Sequence, residues 1–262
     1  EQVDDADLAR RPYAVEFATQ RLAILDRDVD TLVALLGQDL SNAYQFQRVA
    51  EAMLELDDPD AALAWARRGI VETTGWQVAK LYDLAASLLA DRADAEGVFE
   101  LRLHQHERMP SSTTYRQLRA AAEQLGRWDT ERAAARSVLE QRSPAGFVDA
   151  LLDDGDTATA WAAADGNPEW HLDVRQWERL ADARRPGHPA DALDVYLQLA
   201  DAALVEANKN AYRTGVKHLK AARSAAAEAG VAADFDTRMA VLREQHRRRP
   251  TLIAMLDKAK LP

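Results

Sequence analysis

The 262-residue sequence contains no cysteine, and that one absence removes several chemistries at once. A disulfide framework, a Cys-ligated zinc site, a thiolate-held iron–sulfur cluster and a thiol nucleophile are all excluded. The lack of cysteine also fits a reducing compartment, so a cytoplasmic location is expected. Glycine (11) and proline (9) are scarce, well below the share that marks disordered or low-complexity chains. Long apolar runs are missing too. Arg, Asp or Glu breaks them every few positions, and no stretch approaches the roughly 18 residues of a membrane span. The opening residues, Glu1-Gln2-Val3-Asp4-Asp5, carry no initiator Met, basic n-region or apolar h-region, and they read as the cut end of a longer protein.

Alanine (52) and leucine (32) make up about a third of the chain, which predicts a folded and mostly helical protein. At this length roughly 70–75% of the unfolded surface can be buried, so neither metal nor cross-links are needed for stability. The chain is read as one helical domain over 1–262.

Punctuation recurs along it. An acidic or Gly-bearing turn followed by an Ala-rich segment appears at Asp58-Pro59-Asp60, Ala93-Asp94, Gly126-Arg127-Trp128-Asp129, Asp154-Gly155-Asp156 and His188-Pro189-Ala190-Asp191. Asp60, Asp94, Asp129, Asp156 and Asp191 are spaced by 34, 35, 27 and 35 residues. A period near 34 is that of the tetratricopeptide helix–turn–helix unit, and the short interval fits one shortened unit between Phe147 and Ala164. The expected fold is therefore all-α, a tetratricopeptide-like α-solenoid of antiparallel helix pairs. It divides into N-terminal helices (1–41), repeat pairs of about 34 residues (42–206) and basic C-terminal helices (207–262).

Each unit holds two helical patterns. Phe46, Val49, Ala50 and Met53 share one face of a 3.6-residue period, and Ala62, Trp65, Ala66 and Gly69 share another. Leu81, Leu84, Ala85 and Leu88 precede Val98 and Leu101, and Leu118, Ala121, Ala122 and Leu125 precede Ala133, Ala134 and Val138. Small residues let helix backbones approach while an aromatic fills the remaining volume. A parallel sheet would need short Val/Ile-rich runs, which do not occur. Prolines cut the chain into pieces of helix length and exclude a long coiled coil.

Charge is uneven. The whole chain has 33 basic and 43 acidic side chains, a net −10, yet residues 207–262 carry twelve bases against five acids. At 100° per residue, Lys209, Arg213, Lys217, Lys220 and Arg223 fall within an arc of about 120°. Val216 interrupts that arc, and Tyr212 and Leu219 lie on a neighbouring face. Together with Arg247, Arg248 and Arg249 these cations form the candidate binding surface. Three uses compete: a solvated helix face, a match to the chain's own acidic body or to a neighbouring acidic protein, and contact with nucleic-acid phosphates. The acidic total and the lone interleaved aromatic, Tyr212, weigh against the last.

Catalytic signals are thin. Glu100 and His104 form an i, i+4 pair near His106, but the two histidines would point about 200° apart on a helix, which leaves too few convergent ligands for a metal. HExxH, GxSxG, a phosphate-cradling loop and a dinucleotide fingerprint are all missing. The acids at Asp57, Asp58, Asp60, Asp153, Asp154 and Asp156 sit at turns, where capping explains them. Trp161, Trp170 and Trp177 read as core rather than as a peptide groove. No enzymatic activity, cofactor or metal is expected, and no membrane contact.

Three stretches carry a family likeness: residues 190–256, with Ala207-Asn208-Lys209-Asn210-Ala211-Tyr212 and Glu244-Gln245-His246-Arg247-Arg248-Arg249-Pro250, and upstream Tyr44–Ala52 and Ala62–Ile70. They resemble the C-terminal helical region of bacterial SWIM zinc-finger proteins. The family's defining Cys/His zinc site has no counterpart here, since the chain has no cysteine. The resemblance implies a helical appendage to a zinc module that binds DNA or protein. The sequence expectation is thus a non-catalytic protein-interaction scaffold, with a nucleic-acid-associated accessory domain as the alternative.

Overall fold

The structure is a computed structural model; it describes residues 5–262, with side chains from residue 14 onward, so Glu1–Asp4 of the opening segment lie outside the described residues. The fold is all-α. Among the described residues there are fifteen α-helices and a short 3₁₀ turn, and no strand.

Two compact units divide the chain, residues 1–135 and 136–262. The first holds α1 (Asp5–Leu25), α2 (Val29–Gly37), α3 (Ala43–Glu55), α4 (Pro59–Glu72), α5 (Val78–Asp91), α6 (Ala95–Arg108) and α7 (Ser112–Gln124), and it ends inside α8 (Trp128–Arg142). The second contains α9 (Pro144–Asp153), α10 (Thr157–Gly166), α11 (Val174–Arg184), α12 (Pro189–Leu204), α13 (Lys209–Glu228), α14 (Ala232–Gln245) and α15 (Pro250–Lys258).

The acidic and glycine punctuation falls at the starts of α4, α6, α8, α10 and α12, the second helix of each pair. A single turn geometry accounts for most of it. Asp57, Ala93, Gly126 and Gly155, each lying between two helices, all adopt positive φ between 57° and 75°, as does Arg27 before α2 at 55°. The residue after each bonds back across the turn: Asp58 N–H to Met53 O at 2.9 Å, Asp94 N–H to Leu89 O at 3.0 Å, Arg127 N–H to Ala122 O and Asp156 N–H to Leu151 O, both at 2.8 Å. That is the Schellman closure, which satisfies the orphan carbonyls at a helix end. The same residue then caps the next helix. Asp58 accepts from Ala61 N–H at 2.9 Å, Asp94 from Gly97 N–H at 2.8 Å and Asp156 from Thr159 N–H at 3.3 Å. Three residues therefore end one helix and start the next, which makes antiparallel neighbours.

Where the shortened unit is expected, α9 and α10 are 10 residues each, against 13 to 15 in α3–α8. Helices adjacent in sequence pack together from α1 through α7 and from α9 through α14. First helices of successive pairs also touch, α3 with α5 and α9 with α11.

The predicted faces are buried on α3, α4, α5 and α7. Phe46, Val49, Ala62, Ala66, Leu81, Ala85, Leu118 and Ala122 have no accessible surface. On α8 the face is rotated from the expected one. Trp128, Ala135 and Leu139 are buried, while Ala133 and Ala134 are exposed. In a helix this rich in alanine the small residues carry no directional signal; the large apolar side chains, Trp128 and Leu139, spaced i and i+11, decide which face turns inward. The charge border at 206/207 is not a packing border either, because α12 and α13 form the most extensive helix–helix interface among the described residues.

Candidate functional site

α13 positions the predicted stripe. Asn208 caps it by accepting from Asn210 N–H at 3.0 Å and Ala211 N–H at 2.9 Å. One face, Tyr212, Gly215, Leu219, Ala222 and Ala226, is buried against α12 and its neighbours. Gly215 permits that approach: a Cβ there would meet Leu204 Cδ2 at 2.7 Å. The opposite face is left to Lys209, Arg213, Lys217 and Lys220, all exposed.

α15 lies beside α13. Pro250 occupies its first turn, where a missing N–H costs nothing. Leu252 and Leu256 are fully buried, and this spacing turns Ala254, Met255 and Lys258 toward the flank that meets α13. Between the two helices runs an open groove of about 1160 Å³. Lys209, Arg213, Val216, Lys217 and Lys220 line one wall, and Pro250, Thr251, Ala254, Met255, Lys258 and Ala259 the other. Five cations and no carboxylate line it. Val216, which interrupts the arc in the sequence, is half-buried and forms part of an apolar floor with Met255.

The eight candidate cations separate into two groups. Lys209, Arg213, Lys217 and Lys220 line the groove. Of these, Lys217 donates to Glu178 Oε1 at 2.7 Å, and Arg213 to Asn210 Oδ1 at 3.3 Å. Lys209, Lys220 and Lys258 have no carboxylate within 4.0 Å among the described residues. The other four do not join them. Arg223 donates to Lys260 O at 2.7 Å, and Arg247 to Glu244 Oε1 at 2.7 Å. Arg249 donates to Leu204 O at 2.6 Å, serving the carbonyl end of α12, and lines a separate 340 Å³ pocket with Asp201, Arg238 and His246. Arg248 is exposed and lines neither pocket. Tyr212 is 6% exposed, so it offers no ring for base stacking.

The α15 wall was missed by reading charge alone. Its signal is present in the sequence as Leu252 and Leu256 one turn apart, an inward pair that leaves a methionine on the outer flank.

The other titratable groups are bound into the framework. His104 Nδ1 lies 2.9 Å from Tyr82 Oη. His106 is buried with both ring nitrogens used, Nδ1 at 3.1 Å from Thr114 Oγ1 and Nε2 at 3.0 Å from Ala135 O, and burial pushes its pKa down. His218, also buried, is shifted down for the same reason, against the opposing pull of Glu178, whose carboxylate lies 3.4 Å from Nδ1. The Tyr196 hydroxyl donates to Asp182, and burial raises its pKa. Among the described residues no three His, Asp or Glu side chains gather as a metal-binding group. Trp161 and Trp177 pack on the core of the second unit, and Trp170 stands edge-on to Phe147 with ring centres 6.2 Å apart. No described helix is long and apolar enough to cross a membrane.

No protein-family model matches the chain, and no curated protein matches it.

Proposed function

We propose that the chain is a non-catalytic, cytoplasmic protein-interaction scaffold built as a tetratricopeptide-like array. The observation that carries this reading is the α13–α15 groove, where unpaired cations and an apolar floor coincide on an open surface. Stacked helix pairs with a shared turn geometry support the array, since such arrays bury their own polar chemistry and present extended surfaces. The resemblance to SWIM zinc-finger proteins is kept with this proposal, as a helical appendage whose partner is a protein.

The nucleic-acid alternative has the four-cation row in its favour. Against it stand the buried Tyr212, the apolar floor, and the engagement of Arg247 and Arg249 with Glu244 and Leu204.

The test is capture from cell extract, with and without nuclease treatment, by the full chain and by its Lys209→Glu/Arg213→Glu variant. A protein retained by the parent and lost by the variant is the expected result. Recovery that disappears on nuclease treatment overturns the scaffold reading in favour of nucleic acid.

A further inference from the structure

The groove has a chemistry that selects among protein partners. We infer that the α13–α15 groove receives an acidic amphipathic helix, roughly three turns long, from a partner protein, its apolar stripe on Val216 and Met255 and its carboxylates on the cation rims. This rests on the scaffold reading above and specifies the partner.

Three observations point to that occupant. The first is size. At about 1160 Å³ the groove is larger than the ~300–1,000 Å³ typical of small-molecule clefts, and it is open along its length. The second is the charge pattern. Lys209, Arg213, Lys217 and Lys220 follow one another at four, four and three residues on α13, so at 1.5 Å rise they extend over roughly 16 Å. A helix laid alongside, with acids at i, i+4 and i+11, meets Lys209, Arg213 and Lys220 in turn. Lys258 supplies the opposite rim from α15. A single phosphate or carboxylate ligand would instead need cations converging on one point.

The third is the floor. Val216, Ala254, Met255 and Ala259 are aliphatic, and methionine adapts its shape to an incoming side chain. Helix-in-groove recognition uses apolar anchors at i, i+3, i+4 and i+7, which such a floor accepts. Bases would need aromatic faces, and the stripe's tyrosine is turned into the core. Lys217 is already committed to Glu178, so the cations available to the partner are Lys209, Arg213, Lys220 and Lys258.

The experiment titrates the full chain with three designed peptides, followed by fluorescence anisotropy at low and high salt. The first has Leu at i, i+3, i+4 and i+7 with Glu on both flanks; the second replaces Glu by Gln; the third keeps the composition but scrambles the helical spacing. The first is expected to bind, with affinity falling as salt rises. The Gln peptide and the scrambled peptide should each be weaker by roughly tenfold or more. In the protein, Lys209→Glu/Arg213→Glu and Met255→Gln should each weaken the first peptide by roughly the same factor, with the thermal melt of the charge-reversed variant unchanged because both of its side chains are exposed.

Equal binding of the Glu and Gln peptides overturns the acidic-partner inference while leaving the scaffold reading standing. Equal binding of the scrambled peptide, or no binding of any of the three, also overturns it. Tight binding of a single-stranded oligonucleotide that is indifferent to Met255→Gln, with no peptide bound, overturns both.

Discussion

Gly69 of α4 lies so close to Phe46 of α3 that a methyl group on its Cα would stand 2.6 Å from Phe46 Cβ and 2.7 Å from Leu81 Cδ1 of α5. Three helices meet at a position where no side chain fits. Phe46 and Leu81 are both fully buried, so neither can swing away. Gly69→Ala gains helix propensity yet forces the helices apart, and overpacking of this kind costs about 1–3 kcal/mol. Urea unfolding should show the midpoint falling. An unchanged or raised midpoint would mean that the pair of helices yields freely.

The recurring turn sets one backbone conformation for unlike residues, and this yields a matched pair of substitutions. Ala93 holds φ at 57° where Gly155 holds it at 75°. A left-handed conformation costs an L-residue about 1–2 kcal/mol, partly offset by the greater unfolded-state freedom of glycine. Ala93→Gly is therefore expected to stabilise the protein by about 0.5 kcal/mol. Gly155→Ala should destabilise it by about 1 kcal/mol, through the backbone alone, because a Cβ there meets nothing within 4 Å. Denaturant midpoints of the two variants should move in opposite directions.

These turns explain why so much of the architecture is legible in the amino-acid order. An N-cap such as Asp94 acts on Gly97, three residues away, and the Schellman bond spans five, so the start of each second helix is written locally. The groove is not. Its walls, Lys209–Lys220 and Pro250–Ala259, are brought together by the packing of α13 against α15, and Val216 read alone only interrupts a basic stripe. Arg249 illustrates the same limit. Its charge is visible in the sequence, but its bond to Leu204 O joins residues 45 apart and turns a candidate ligand-binding cation into a helix-end partner. On α8 the local pattern misleads because alanine faces every direction equally well, and Trp128 and Leu139 settle the burial.

Acid sensitivity follows from the buried imidazoles. His106 donates Nε2–H to Ala135 O, so in the neutral ring Nδ1 is the unprotonated nitrogen facing Thr114 Oγ1. Burial lowers its pKa in the folded state, so the unfolded chain binds the proton more readily. Stability is then complete above the unfolded value of about 6.5 and declines as pH falls below it toward the folded pKa. His218 is shifted in the same direction by burial and adds to the loss. Urea midpoints taken from neutral pH down to mildly acidic pH should decline, and His106→Gln should make the decline shallower. A profile flat through this range would contradict the assignment of neutral, buried rings.

Lys217 and Arg213 sit one turn apart on the same groove wall, but only Lys217 meets a carboxylate, Glu178 of α11 at 2.7 Å. Arg213 contacts Asn210, a neutral group on its own helix. Reversing the two charges should therefore have unequal effects on stability. Lys217→Glu sets two carboxylates side by side next to the buried His218 ring, and the lost pair together with the new repulsion should lower stability by about 0.5–1 kcal/mol. Arg213→Glu should leave it within about 0.5 kcal/mol. The swapped variant, Lys217→Glu with Glu178→Lys, restores opposite signs and should recover most of the loss, as a double-mutant cycle would register. Because Arg213 contributes to the groove without holding the fold, its reversal separates partner binding from stability. Equal destabilisation by both single variants would show instead that the whole row is spent on internal electrostatics, and the groove would then have no cations to offer a partner.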